Sequence, residues 1–247
     1  MNNPKKYTLE IASFTLQGAL EAFHAGAHRI EFCDNPHEGG TTPSYGMLMQ
    51  ARKNISIPIF PIIRPRGGHF FYSKQEIECI KKDIELCKEL EFEGVVIGCL
   101  DEHGKIPVLL IHELVQLAYP MSVTFHRAFD RTADPLTALE QIIDCGCHRI
   151  LSSGQYPNVM EGKILLKEMI EQANNRIIIM PGSGLNSQNV REIATYTKAI
   201  EFHTAARMTN TNSLFPSPKT MNENLSFVST NTMEIKKILN ELDLLTI

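Results

Sequence analysis

Eight times along this chain a short apolar run ends in a polar cluster, and the clusters are rich in Glu, Arg and His. The clearest case is residues 59–68, Ile-Phe-Pro-Ile-Ile-Arg-Pro-Arg-Gly-Gly. A run with the character of a buried strand meets two arginines, and two glycines then turn the chain. Val123-Thr-Phe-His126-Arg127-Ala-Phe-Asp130 repeats the arrangement. Strands that all end in chemistry on one side are what a parallel barrel with an active face requires.

Strands are expected at residues 7–11, 29–32, 57–63, 94–98, 122–125, 149–152, 176–180 and 199–202. Helix-period segments lie between them at 14–24, 44–52, 74–90, 108–118, 135–144, 160–172 and 187–196, and a last one spans 233–244. Such alternation predicts an α/β fold, a (β/α)8 TIM-type barrel with eight parallel strands. The 247 residues suit one such barrel, so a single domain over 1–247 is expected. Ser73 with Glu76 forms a capping box, and Asp134 before Pro135 reads as an N-cap followed by a first-turn proline. Residues 204–230, rich in Asn, Ser, Thr and Pro, are read as a long irregular loop on the active face.

Two units look alike. Ala19-Leu-Glu with Gly26-Ala-His28-Arg29-Ile30 resembles Ala138-Leu-Glu with Gly146-Cys-His148-Arg149-Ile150. The glycines are 120 positions apart (146 − 26), four units of about 30 residues, or half a barrel.

The charge of −4 and pI near 6.1 lack the basic footprint of a nucleic-acid binder. No apolar run approaches a membrane span, and Tyr7-Thr-Leu-Glu puts a charge where a signal peptide needs an apolar core. A cytoplasmic protein with no membrane or nucleic-acid partner is expected. Cys33, Cys79, Cys87, Cys99, Cys145 and Cys147 are scattered, and in a reducing compartment thiols are the default.

Side chains alternate along a strand, so Glu31 shares a face with Cys33, Glu201 with His203, and Thr124 with His126. Arg64 and Arg66 share a face after the third strand, and Glu10 ends the first. Buried carboxylates need partners, and Arg64, Arg66 and His126 are the expected ones for Glu10, Glu31 and Glu201. The cluster reads either as a ligand site or as an ion-pair network closing the barrel. His126 is the first acid/base candidate, with His203 second; Asp130 would orient His126 or pair with Arg127. Gly182-Ser183-Gly184 ahead of a helix, with Ser153 beside it, reads as an anion site or as a tight turn that needs glycine. Cys145-Gly-Cys147-His148 has metal-ligand character, but its counterpart is Ala25-Gly-Ala27-His28, which argues for small packing residues. Cys79 and Cys87 are expected to face the core. Cys33 and Cys99 are expected on the active face, with Cys33 the better ligand or nucleophile.

Glu31-Phe-Cys33-Asp-Asn, His37-Glu-Gly-Gly-Thr-Thr-Pro-Ser-Tyr-Gly46, Ile63-Arg-Pro-Arg-Gly-Gly68, Val123 to Asp130, Ile150-Leu-Ser-Ser-Gly154 and Glu201-Phe-His203 resemble the CutC family. The resemblance covers about residues 7–207. It implies a TIM-barrel-like fold, a cytoplasmic homo-oligomer such as a homodimer, and a role in copper homeostasis with copper as the bound ion. The family's suggested copper site uses a cysteine matching Cys33 and one just after the first strand, where this chain has Ala12. A lone thiolate is a poor selective Cu(I) site.

Two functions follow. One is copper handling with Cys33 as the metal ligand. The other is an enzyme (hydrolase, lyase or isomerase) on a small anionic or sugar-like metabolite, without an organic cofactor. There His126, Glu10, Glu31 and Asp130 would carry catalysis. Arg64, Arg66, Arg127, Ser153, Gly182, Ser183, Gly184, Glu201 and His203 would bind the ligand. A barrel that binds a ligand and signals, without turnover, is the third reading.

Overall fold

The computed structural model describes residues 7–210, 220 and 226–245. The strands in chain order are β1 (Thr8–Ser13), β2 (Arg29–Phe32), β3 (Ile59–Pro61) and β4 (Gly94–Ile97). After them come β5 (Ser122–Phe125), β6 (Arg149–Ser152), β7 (Ile178–Pro181) and β8 (Glu201–Thr204). Helices follow them in turn: α1 (Leu16–His24), α2 (Tyr45–Asn54), α3 (Lys74–Glu89), α4 (Val108–Ala118), α5 (Pro135–Asp144), α6 (Val159–Ala173), α7 (Val190–Thr197) and α8 (Thr232–Asp243). Short 3-10 turns cover Pro36–Glu38 and Arg127–Arg131.

The strands lie in two parallel four-stranded sheets, ordered β3-β2-β1-β8 and β4-β5-β6-β7. One parallel bridge, Ile62 to Val96, joins the β3 and β4 edges. Among the described residues no ladder joins β7 to β8, so the expected continuous eight-stranded ring is present as two parallel sheets. β3 is shorter than expected because Pro58 and Pro61 cannot donate to a ladder.

Alternation along the strands separates two environments. Leu9, Ile11, Ile30, Phe32, Val95, Ile97, Val123, Phe125 and Phe202 belong to the main core with the apolar faces of the helices. The other face carries Glu10, Arg29, Glu31, Thr124, Glu201 and His203, all buried, beside a small apolar cluster of Cys33, Phe60, Ile62 and Val96. The caps at Ser73 and Asp134 form as the sequence implies.

The internal repeat is structural. His28 Nδ1 accepts the Leu9 N–H at 2.9 Å, and His148 Nδ1 accepts the Val123 N–H at 3.1 Å. Gly26 and Gly146 both hold a left-handed backbone, φ 97° and 85°. Each histidine thus clamps the strand that precedes it, β1 in one sheet and β5 in the other. His148 is occupied in this way, Cys147 is buried, and the Cys145 thiol donates to the Val108 carbonyl, so this stretch is packing. Cys79 is exposed, contrary to expectation, and Cys99 lies in the main core rather than on the inner face.

Residues 204–230 are not irregular throughout. β9 (Arg207–Asn210) and β10 (Phe227–Thr230) pair antiparallel, with Arg207 opposite Thr230. This ribbon is largely exposed and lacks the apolar alternation that makes a strand visible in sequence. Residues 211–219 and 221–225 of the expected loop lie outside the described residues.

Candidate functional site

The register of three strands builds the floor. Glu10 of β1 stands opposite Arg29 of β2 on one side and His203 of β8 on the other. All three side chains point to the inner face, where a bare charge is costly. Arg29 Nε binds Glu10 Oε2, and Arg29 Nη2 reaches Glu201 Oε2 at 2.6 Å. Arg149 Nε shares that same oxygen at 2.8 Å. Both guanidinium groups lie on the Phe60 ring, 5.0 and 5.5 Å from its centroid. The partners of Glu10 and Glu201 are therefore Arg29, Arg149 and His203, not Arg64, Arg66 or His126. Arg29 was legible in principle, since alternation puts it on the same face as Glu31.

His203 links this network to the space above it. Its Nδ1 is 2.7 Å from Glu10 Oε1, and its Nε2 is 3.8 Å from Glu31 Oε2. Burial opposes charge on Glu10, but Arg29 and then His203 outweigh it and hold the carboxyl down to about 2. Burial likewise disfavours the charged His203 ring, but Glu31 and Glu10 raise it above the usual histidine value. Glu31 is pushed up by burial against the pull of His203. Glu10 and His203 form an ion pair, and Glu31 protonates more readily than Glu10.

Above this floor opens a cavity of about 840 Å³. Ala12, Glu31, Ile62, Leu151 and His203 line its base, and Arg64, Phe70 and His126 its wall. His37, Arg127, Arg131, Ser183, Gly184, Asn186, Arg207 and Glu234 surround its mouth. Arg64 is buried and fixed by three carbonyls: Nη1 donates to Glu38 and Gly40 at 2.6 and 2.8 Å, and Nη2 to Gly68 at 2.9 Å. His126 is buried; burial, then the Arg64 charge, lowers its pKa to about 3. That keeps it from serving as a general base near neutrality.

The structure brings Glu31, Arg64, His126, Arg127, Ser183, Gly184 and His203 to one cavity. Other residues expected in the site are engaged elsewhere. Arg66 is bound to Glu76 and to the carbonyls of Gly67, His69 and Phe71. Asp130 pairs with Arg127 at 2.8 Å and accepts from Ser152, Ser153 and Gln155, so it does not orient His126. The Ser153 N–H donates to Asp130, and its hydroxyl donates to the Tyr156 carbonyl. Gly182 lies beneath the wall; a Cβ there would come 2.5 Å from Leu151 and 3.2 Å from His203. Glu10 and Glu201 are spent in the network.

The expected anion site after β7 is largely filled by the chain itself. α7 starts at Val190 instead of about residue 187. The N–H groups of Asn186, Ser187 and Gln188 are taken by Asn189, Glu234 and Asn186 side chains at 2.9, 2.7 and 2.9 Å. Glu234 thus sets a carboxylate of α8 where an anion would dock. His37, Phe70, Arg131 and Arg207 escaped the sequence reading because they sit on loops and the ribbon, where no period fixes direction.

Cys33 is 1% exposed, and its thiol lies 3.4 Å from Glu31 Oε2. Burial and then Glu31 push it well above the usual thiol value. The residues packed with it are Phe60, Ile62, Val96 and Phe14, none of them soft. Met180 Sδ is 3.2 Å from Arg29 Nη2, and Met47 packs on the main core. One protonated thiol among apolar groups does not fit a selective Cu(I) cage. Glu10, Glu31 and His203 bring ligand atoms within 4.8 Å of one another, a hard-to-borderline set already held together as an ion pair.

The CutC family profile matches residues 7–208. The chain belongs to the CutC family. A family protein CutC of Parabacteroides distasonis is 50% identical over 203 residues, 82% of this chain and 84% of that protein. The Homo sapiens protein named copper homeostasis protein cutC homolog is 44% identical over 203 residues, 82% of this chain and 74% of that one. A solved Streptococcus agalactiae structure, described as a CutC copper homeostasis protein, superposes with TM-score 0.77 at 32% identity, covering 81% of this chain and 98% of that chain. Thermotoga maritima phosphoribosyl anthranilate isomerase, at TM-score 0.59 and 14% identity over 96% of this chain and 98% of its own, shares the fold alone. No helix of the described residues is long and apolar enough to cross a membrane.

Proposed function

We propose that this chain serves copper homeostasis, the role named for its relatives, by binding a small anionic or sugar-like ligand in the cavity above Glu31 and His203. The two four-stranded sheets are read as the halves of one (β/α)8 barrel, with the cavity at the carboxyl ends of its strands. Placement in the cytoplasm and assembly as a homodimer complete the proposal. The observation that carries it is the cavity's donor set: Arg64 and His126 on the wall and Arg127, Arg131 and Arg207 at the mouth. These groups complement carboxylate, phosphate or hydroxyl oxygens, not a soft cation. Glu31, the readily protonated carboxyl beside His203, supplies the acid–base group if the ligand is turned over.

The test is a calorimetric screen of small carboxylates, phosphates and sugar acids against wild type and Arg64→Gln. Saturable binding weakened by the substitution is expected; equal failure of both proteins to bind any compound would sink the reading.

Copper binding by the protein itself is a second reading, favoured by Cys33 at the position of a family cysteine. It predicts one-to-one Cu(I) capture under anaerobic, reducing conditions that Cys33→Ala abolishes. Weak capture, unchanged by the substitution, would remove Cys33 as a copper ligand.

A further inference from the structure

The cavity wall holds a hydrogen-bond donor with nothing to bind. The His126 Nδ1 accepts the Ala128 N–H at 3.0 Å. A backbone N–H only donates, so that nitrogen presents its lone pair and the ring proton sits on Nε2. Nε2 is buried and has no partner. An unmet buried donor is costly, and in a native structure such a group calls for an explanation. The same assignment excludes His126 as a metal ligand, because its one free lone pair is already used.

The surroundings fix the ring where it is. Gly98, just after β4, makes room: a Cβ there would fall 2.3 Å from the His126 Cε1. The Phe70 ring packs against it, centroids 5.0 Å apart, and against the Arg64 guanidinium at 4.9 Å. The buried Nε of Arg64 is also unspent, although three carbonyls hold the other end of the guanidinium. The Tyr72 hydroxyl lies near the same guanidinium. Of the other groups near His126, Arg127 is turned to Asp130 and Ser153. Glu31 and His203 face the same cavity from β2 and β8.

We propose that His126 works as a neutral hydrogen-bond donor, its Nε2–H and the Arg64 guanidinium together holding one oxygen of a small carboxylate or carbonyl ligand. This rests on the small-anion reading of the cavity and deepens it by naming the atoms and the ligand group. A fixed neutral donor beside a fixed cation stabilises negative charge on that oxygen without reorganisation. It also removes His126 from the acid–base role that its residue type suggests.

The test uses the full chain. With 15N-labelled histidine, NMR reads the tautomer of His126 in wild type between about pH 5 and 8. The expected result is Nε2–H and no titration over that range. A ring that protonates with a midpoint near 6.5, or one carrying its proton on Nδ1, would overturn the proposal with no ligand involved. Glyoxylate, oxalate and inorganic phosphate are then titrated into wild type, His126→Gln, His126→Leu and Arg64→Gln. Loss of the donor should weaken carboxylate binding roughly 10- to 100-fold in His126→Leu, with partial recovery in His126→Gln, whose amide still donates. Probes binding wild type and His126→Leu alike would sink the seat and leave the small-anion reading intact. No binding to wild type by any probe would sink both.

Discussion

His126 shows how one side chain's surroundings decide its chemistry. Its pKa falls from the ordinary 6.5 to about 3 in the fold. As pH drops, the unfolded chain takes the proton first, so the stability His126 contributes above pH 6.5 is lost between 6.5 and about 3. By pH 4.5 the loss reaches about 2–3 kcal/mol. Glu10 acts in the same direction but lower, between 4.5 and about 2. His203, with a raised value, contributes fully below 6.5 and loses its contribution as pH rises past its folded value, so acid spares it. Urea midpoints at pH 7 and 5 should therefore fall less in His126→Gln than in wild type; equal falls would clear His126 of the effect. Arg29 gives the second prediction at this scale. Arg29→Met strands Glu10 and Glu201 without their shared cation and should cost about 3–5 kcal/mol by urea unfolding at pH 7. Alternation alone places Glu10, Arg29, Glu31, Glu201 and His203 on one face, so this network was largely legible. The tautomer of His126 was not, because a turn amide at Ala128 sets it.

Elements were legible where burial imposed a period and obscure where it did not. Eight strand runs and eight helices fall close to their expected places, since each buries one face against the main core. The β9–β10 ribbon stayed hidden because its strands, Arg-Met-Thr-Asn and Phe-Val-Ser-Thr, are exposed or half-buried and carry no apolar alternation. α7 begins late because Asn186 and Asn189 turn their side chains onto the local backbone, an alternative that Asn offers to helical pairing. The docking of α6 shows an element position no propensity scale would give. Gly162 sits inside the helix, where replacing glycine by alanine ordinarily gains about 1 kcal/mol. Here a Cβ would fall 1.9 Å from the Ser153 carbonyl and 3.0 Å from the Gly154 Cα. The helix touches the loop after β6 backbone to backbone, and neither partner has a flexible end to move. Gly162→Ala should therefore destabilise by about 1–3 kcal/mol, read as a lowered thermal midpoint. A raised midpoint would mean that the approach relaxes freely and that helix propensity decides.

At the scale of the molecule, two sheets with a repeated clamp raise the question of whether the halves stand alone. Each half has its own histidine clamp, His28 on β1 and His148 on β5. They share one apolar core, and across the seam run the Ile62–Val96 bridge, the approach of Gly182 to His203, and the ion pairs of Glu201. Glu201 of the first sheet takes Arg29 from its own sheet and Arg149 from the other on a single oxygen. The Phe60 ring lies under both guanidinium groups, so each half supplies charge that only the other half completes. A half unfolding alone would leave an arginine or a carboxylate at the seam without its partner, a penalty of several kcal/mol on the half-folded state. The two halves should then melt as one unit. Urea unfolding followed by far-ultraviolet circular dichroism and by tyrosine fluorescence, in a chain without tryptophan, should give coincident transitions. Glu201→Leu removes the shared carboxylate and leaves Arg149 without its ion-pair partner. The midpoint should fall, and the two probes should begin to separate as coupling weakens. Separate transitions already in wild type would mean that each sheet with its helices is a folding unit and that the ion-pair layer only decorates their seam.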